Sequence, residues 1–130
     1  MTLEEGLRTY TLAGSAVAAL VGTRMYPRML PQTPTLPALV YQRIDTRRQH
    51  DLAGPDGLPR PRMQVTCWAP LPLSASGLAA AVRQRLDGYR GAMGTVSVES
   101  CLLVGERDVT DTEAGRYGVA LDFMIQYQEG

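Results

Sequence analysis

The chain has 130 residues, of which 13 are basic and 13 acidic, so its formal net charge is zero. A chain of this length is expected to form one domain over residues 1–130 with a modest core. The balanced charge argues against a dedicated nucleic-acid or membrane-surface binder. Two cysteines and one histidine make no recognisable metal constellation. We therefore expect no metal ion and no other cofactor.

The start of the chain carries acidic residues where a signal peptide needs basic ones, and no apolar run approaches membrane length. We expect no membrane partner, and a protein that is made and kept in the cytoplasm or in an assembly built there. Cys67 and Cys101 both lie in predicted strands. We interpret them as small, buried apolar residues in a reducing compartment.

Apolar residues at helical spacing predict a first helix over Leu3–Val21, begun by a capping box of Thr2 and Glu5. Gly14–Ser15 is a weak point in the middle of this helix, so two shorter helices are an open alternative. A short extended piece over Thr23–Pro27 and a proline-rich connection are expected to follow.

Strand-forming residues predict a strand over Ala38–Ile44 and another over Arg60–Trp68, joined as a long antiparallel hairpin by a polar, turn-forming segment. In the second strand, Met63, Val65 and Cys67 alternate with polar residues. This period of two is typical of a strand with one covered face. We expect the next helix to fold back over that face.

That second helix is predicted after the proline-rich turn that follows Trp68, with Ser74 as its N-cap and Gly88 or Gly91 as its stop. Two further strands are predicted over Thr95–Val104 and Tyr117–Tyr127. The order α-β-β-α-β-β favours an α+β fold, a four-stranded antiparallel sheet with two helices packed on one face. The other face, with Trp68, Ala120 and Met124, would then have no helix to cover it.

The two predicted hairpin loops carry opposite charge. Between Arg43 and Arg62 five arginines stand against three aspartates, and between Gly105 and Arg116 four acidic residues stand against two arginines. Arg47 and Arg48 allow two interpretations, a solvated basic loop or a contact arm to another subunit, to nucleic acid or to a partner protein.

Trp68 is expected to point onto the uncovered sheet face, where an exposed tryptophan is more often an interface anchor than an accident. Asp122 faces the same way, and we interpret it as a half-exposed acid, with an arginine of another subunit as the alternative partner. The single histidine, His50, stands in a charged loop without a nearby nucleophile. We therefore expect a part of an assembly and not an enzyme.

Six runs of the sequence form a recognisable set: AVAALVG at 16–22, RMYPRMLPQTPTLPALVYQRI at 24–44, RMQVTCWA at 62–69, AVRQRLDGYRG at 81–91, GERD at 105–108 and YGVALDF at 117–123. Together they resemble the tail-completion proteins, also called tail-terminator proteins, of long-tailed bacteriophages and prophages. The resemblance covers nearly the whole chain and implies a structural, non-enzymatic role. It implies a ring, commonly a hexamer, that caps the head-proximal end of the tail tube, stops its polymerisation and joins the head.

The partners that this resemblance implies are further copies in a ring, the tail-tube protein and head–tail connector proteins, in the virion tail and, during assembly, the host cytoplasm. A ring needs a head-to-tail contact between unlike surfaces, which the opposite charges of the two loops suit. Three alternatives stay open: a basic loop that lines the channel near passing DNA, another head–tail connector component, and a dimeric small-ligand-binding α+β domain. The candidate interface residues are Arg47, Arg48, Trp68, Glu106, Asp108 and Asp122.

Overall fold

The computed structural model describes residues 1–47 and 60–128, with residues 46 and 47 described by their backbone alone. The described residues form three helices and six strands. The helices are α1 (Leu3–Ala13), α2 (Ser15–Val21) and α3 (Pro72–Leu86). The strands are β1 (Met25–Pro27), β2 (Ala38–Arg47), β3 (Arg60–Ala69), β4 (Gly91–Met93), β5 (Val96–Asp111) and β6 (Arg116–Gln128).

The strands form one mixed sheet in the order β1-β2-β3-β6-β5-β4, curved as a half-barrel. β1 runs parallel to β2, and every other neighbouring pair is antiparallel. The predicted four-stranded antiparallel sheet with two helices is therefore wrong. The two strands that sequence reasoning did not place in the sheet, β1 and β4, have three residues each, too few to show a period of two.

The first predicted helix divides at Gly14, as the alternative allowed. Its Thr2–Glu5 capping box is present, with the Glu5 N–H donating to Thr2 Oγ1 at 3.2 Å. Arg85 of α3 lies in the break, since its Nε donates to the Tyr10 carbonyl at 3.0 Å. A Cβ at Gly14 would lie 2.7 Å from Arg85 Cδ. The break thus admits an arginine that satisfies a carbonyl released at the end of α1.

α3 starts earlier than predicted, because its N-cap lies three residues before Ser74. Its N-cap is Leu71, which makes no side-chain cap bond, and Pro72 takes the first helical position, where the fixed φ of proline suits a helix start. The helix ends at Leu86, and Gly88 follows with φ +81°. The helix thus ends beside the predicted stop Gly88, with Asp87 as its extended C-cap.

α1 and α3 cover one face of the sheet, and α2 packs against both of these helices. The core lies between the helices and the sheet. Met63, Val65 and Cys67 are fully buried there, which confirms the face assigned from their alternation. Cys101 is buried in the same core, so the interpretation of both cysteines as buried apolar residues is confirmed.

β5 is much longer than the predicted strand Thr95–Val104. It continues to Asp111, so most of the predicted acidic loop is a strand paired with β6, and only residues 112–115 form the turn. A register shift between Leu103 and Gly105 interrupts the alternation. Because of this irregularity and the charged residues at the exposed positions after it, the sequence pattern predicted a loop where the structure has a strand.

Candidate interaction surface

A groove of about 440 Å³ lies on the face of the sheet opposite the helices. Val40, Thr66 and Ala120 belong to its floor, and the segment Arg28–Leu30 forms one wall. The backbone N–H of Arg28 donates to the Tyr41 carbonyl at 2.9 Å, which ties this segment to β2. We call this site the cationic groove, because Arg28, Arg107 and Arg116 also line it.

Trp68 lies in the cationic groove, on the helix-free face as the alternation predicted, and it is half-buried. Its ring packs on the backbone of β6 at Gly118, where a Cβ would lie 2.9 Å from Trp68 Cε3. The Arg116 guanidinium lies 5.5 Å from the ring centroid, within cation–π range. The indole is therefore held in place within the subunit while part of its surface stays open to a partner.

Asp122 is buried on this face, with 5 % of its surface exposed, and not half-exposed as its strand position predicted. Its Oδ2 accepts from Arg62, and its Oδ1 accepts from Gln64 Nε2 at 2.9 Å. Gln42 Nε2 donates in turn to Gln64 Oε1 at 3.1 Å. The β5 residue opposite Asp122 is Gly105, whose missing side chain leaves room for the Arg62 guanidinium. Asp122 is thus paired within its own chain.

The charges in and beside the groove leave an excess of two positive charges. Arg107 Nη1 lies 3.9 Å from Asp122 Oδ2, an oxygen that Arg62 already occupies. Arg116 pairs with Asp111 at 3.2 Å, while Arg28 makes no ion pair with the part of the chain that the structure describes. The charged residues are Arg28, Arg62, Arg107, Arg116, Asp111 and Asp122.

The basic stretch singled out in the sequence is less free than its composition indicates. Arg43 pairs with Glu4 at 2.7 Å, and Arg62 pairs with Asp122 at 2.8 Å. Arg47 ends β2, and its side chain is not described. Arg48 and His50 lie outside the described residues, so the contact expected of the two adjacent arginines stays a prediction.

Glu106 and Asp108 lie on the outer side of β5, beside α3. Glu106 pairs with Arg83 of α3 at 2.9 Å. Asp108 lines a small cavity with Ser76, Arg83 and Arg107, and it makes no ion pair within residues 1–47 and 60–128. Arg107 therefore lies where this surface adjoins the cationic groove. Among the described strands, β4 pairs only with Val96–Val98, so the rest of this side of β5 has no strand partner.

Two more acidic residues lie along this side of β5, Glu99 within the strand and Asp87 at the end of α3. Asp87 Oδ1 accepts from the Leu103 N–H at 2.9 Å, and Glu99 lies 3.6 Å from Arg90. Four carboxylates therefore stand against two arginines, an excess of two negative charges. We call this surface the acidic edge. It comprises Asp87, Glu99, Glu106 and Asp108 with Arg83 and Arg90.

Sequence reasoning missed Arg28 and Arg107. The face on which Arg107 lies could be predicted from the alternation along β5. Residues 107 and 109 pair with neighbouring positions of β6 that also pair with the strand of Trp68, so their side chains lie on the same face as Trp68. No local pattern indicates Arg28, whose position depends on the packing of residues 28–30 against β2.

The remaining chemistry of the described residues is limited. Burial raises the pKa of Cys101 to about 12 and also raises the pKa of Cys67, so both thiols stay protonated at neutral pH. Within the described ranges, no cluster of three or more metal-ligating side chains occurs. No described helix has the length and apolar character needed to cross a membrane.

Comparison with known proteins gives one family and one fold. A family described as "Tail completion protein gp17" matches residues 5–128. A chain of the solved structure "Virion of native gene transfer agent (GTA) particle" superposes with a TM-score of 0.81 at 18% sequence identity, and the match covers 98% of this chain and 95% of that one. At this identity the similarity establishes a shared fold. No curated protein matches the chain at a significant level.

Proposed function

The chain belongs to the tail completion protein gp17 family and is thus a structural protein of the phage tail, and from this premise we propose that it forms a hexameric ring at the head-proximal end of the tail. There the ring ends polymerisation of the tail tube and presents the surface that joins the head. Its partners are further copies of itself, the tail-tube protein and the head–tail connector proteins. The single domain spans residues 1–130.

The observation that carries the ring is the opposite charge of two different surfaces of one subunit. The cationic groove lies on the helix-free face, and the acidic edge lies beside α3 on the other face. A closed ring needs a head-to-tail contact, in which one surface of each subunit meets a different surface of the next. Opposite charges favour that pairing and disfavour contacts between like surfaces.

We assign Arg47 and Arg48 to the positive side of the same contact. β2 runs from the groove residue Gln42 to Arg47, and Arg48 follows Arg47 in the sequence. The competing role is proximity to DNA in the central channel, where arginines bind phosphates without reading sequence. The two roles differ in their readout, because only the first predicts that ring formation depends on these residues.

The test is the solution mass of the purified protein by light-scattering chromatography at low and high salt, with and without tail tubes. We expect a hexameric mass that falls as salt screens the contact, and protein bound at one end of each tube in electron micrographs. Charge reversal of Arg47 and Arg48 to Glu should weaken the ring, and Glu113→Arg in the β5–β6 turn serves as a control for altered charge.

Two results would assign the chain elsewhere. Binding to tail-free heads, with no binding to tail tubes, would make it another head–tail connector component. A tight dimer that is insensitive to salt and does not bind to tubes would favour the ligand-binding domain.

A further inference from the structure

We propose that the acidic edge of one subunit docks into the cationic groove of the next copy, with Asp108 placed between Arg28 and Arg107. This inference rests on the proposed ring and names the surfaces that close it. The occupant of the groove is thus a second copy of the chain. Each subunit contributes its groove to one neighbour and its edge to the other.

The two surfaces have net charges of equal size and opposite sign, and each has a charged side chain without an ion-pair partner among the described residues. The groove has an excess of two positive charges and the edge an excess of two negative ones. Arg28 and Asp108 are both exposed, and neither has an ion-pair partner within the described residues. Both are therefore hydrated in a single subunit, and the displacement of water on contact strengthens their attraction.

Apolar side chains accompany the charges on each side. Met29, in the wall of the groove, is 74% exposed, and Trp68 beside it is half-buried. On the side of the acidic edge, Tyr117 lines a cavity with Asp108 and is 37% exposed, and Val104 of β5 is 48% exposed. An interface with an apolar centre and a charged rim is the common arrangement in protein complexes. The exposed apolar groups therefore supply area to the contact, and the charges set its orientation.

The placement of the two surfaces favours a repeating contact over a symmetric pair. The groove opens on the helix-free face of the sheet, whereas the edge lies beside α3 on the other face. A subunit that uses its edge on one neighbour thus keeps its groove open for another. Docking also covers the outer side of β5 beyond Leu103, where no described strand pairs with it and an open edge favours aggregation.

A charge swap tests the pairing directly. Arg28→Asp and Asp108→Arg should each weaken self-association about tenfold or more, as loss of a close interfacial charge pair does. The double variant that carries both changes should recover association to within about threefold of wild type, because it restores opposite charges. Arg28 has φ +70°, a conformation that aspartate tolerates well, so the first variant keeps the local fold.

Glu113→Arg is the matched control for Asp108→Arg. Glu113 is exposed in the β5–β6 turn and makes no ion pair with the described residues, so its reversal alters net charge equally without touching the proposed contact. Association is measured by light scattering of the full chain and by occupancy of tail-tube ends. A second readout is a variant with Arg28→Cys and Asp108→Cys treated with a short bismaleimide crosslinker, which should form a ladder of linked multimers. The crosslinker is needed because a disulfide requires Cα atoms closer together than an arginine–aspartate pair holds them. Either cysteine alone should stop at dimers.

The outcomes separate this inference from the ring itself. If wild type forms rings or caps tail tubes and Asp108→Arg does so equally well, the docking is wrong and the ring stands. If the double swap fails to recover association while both single variants fold, the docking is also wrong. If wild type neither self-associates nor binds tubes, and the cysteine variant gives no ladder at high concentration, both proposals fail.

Discussion

Arg62 on β3 and Asp122 on β6 form an ion pair in which two nitrogens donate to a single carboxylate oxygen, Nε at 3.1 Å and Nη2 at 2.8 Å from Oδ2. The Asp122 side chain is only 7% exposed, whereas the Arg62 side chain is 39% exposed. A second pair, Arg83 and Glu106, has almost the same length, 2.9 Å, but both of its side chains lie near the surface. The two ion pairs thus have nearly the same length but differ in the burial of their carboxylates, so a comparison of them isolates the effect of burial.

A double-mutant cycle to alanine should give a coupling free energy of about 1–3 kcal/mol for Arg62 and Asp122. The same cycle for Arg83 and Glu106 should give less than about 1 kcal/mol, because water screens an exposed pair. Urea unfolding of the four proteins in each cycle measures both values. Equal coupling in the two cycles would show that burial of Asp122 contributes nothing to its pairing.

Gly118→Ala should move the ring of Trp68. A Cβ at Gly118 would lie 2.9 Å from both Trp68 Cε3 and Val109 Cγ2, closer than side chains pack. Trp68 is the only tryptophan in the chain, so the wavelength and intensity of its emission report the groove directly. We expect a clear change of emission together with weaker self-association.

Gly105→Ala is the comparison for that variant. Its Cβ would lie 3.3 Å from Arg62 Nη2, the end of a side chain that can shift. We expect unchanged tryptophan emission. An identical emission change in both variants would mean that the effect does not come from contact with the ring.

The long periodic segments of the fold were predictable from the sequence. Met63, Val65 and Cys67 alternate through a strand that is paired on both sides, so pattern and burial agree. The predicted strand Tyr117–Tyr127 likewise differs from β6 by one residue at each end. In both, one face meets the core along most of the element, which imposes a period on the residue types.

The edges of the sheet were not predictable in this way. β1 and β4 are defined by their neighbours, since three residues carry no period. In the candidate site, the faces of Trp68 and Asp122 followed from alternation, but the burial of Asp122 depends on Gly105 in another strand. The role of Arg28 depends on a turn that packs against β2. Such contacts are set by tertiary packing and leave no local signal.

Replacement by alanine of two helical glycines should change the free energy of unfolding in opposite directions. A Cβ at Gly6 of α1 would lie 2.5 Å from the Met93 carbonyl oxygen of β4, a backbone atom that cannot move aside. Gly77 of α3 is exposed, and no described atom lies within 4 Å of its added Cβ. Gly6→Ala should lower the free energy of unfolding by about 1–3 kcal/mol through overpacking.

Gly77→Ala should raise the same quantity by about 0.5–1 kcal/mol, because alanine is the better helix former. Urea unfolding of the two variants beside wild type measures both changes. A loss of stability in Gly77→Ala would contradict the open position of this residue, and an unchanged Gly6→Ala would contradict the close packing of α1 on β4.

Stability should fall at alkaline pH because of the two buried thiols. Burial, followed by the nearby charge of Asp87, raises the pKa of Cys101 to about 12, and burial also raises that of Cys67. In the unfolded chain both thiols titrate near their ordinary value of about 8.5 to 9. Below that range both states hold the proton and stability is fully present. Above it the unfolded chain releases protons that the folded chain keeps, so the free energy of unfolding falls.

Between about pH 9 and pH 10 each thiol should remove about 1 kcal/mol of stability. A variant with Cys67→Ala and Cys101→Ala should lack this loss, whatever its stability at neutral pH, so the two pH profiles are compared by slope. Measurements stop at about pH 10, because burial raises the pKa of Tyr10 above its ordinary value of about 10. Parallel profiles for wild type and the double variant would show that the thiols keep ordinary pKa values and are open to water. In that case iodoacetamide should also alkylate the native protein rapidly.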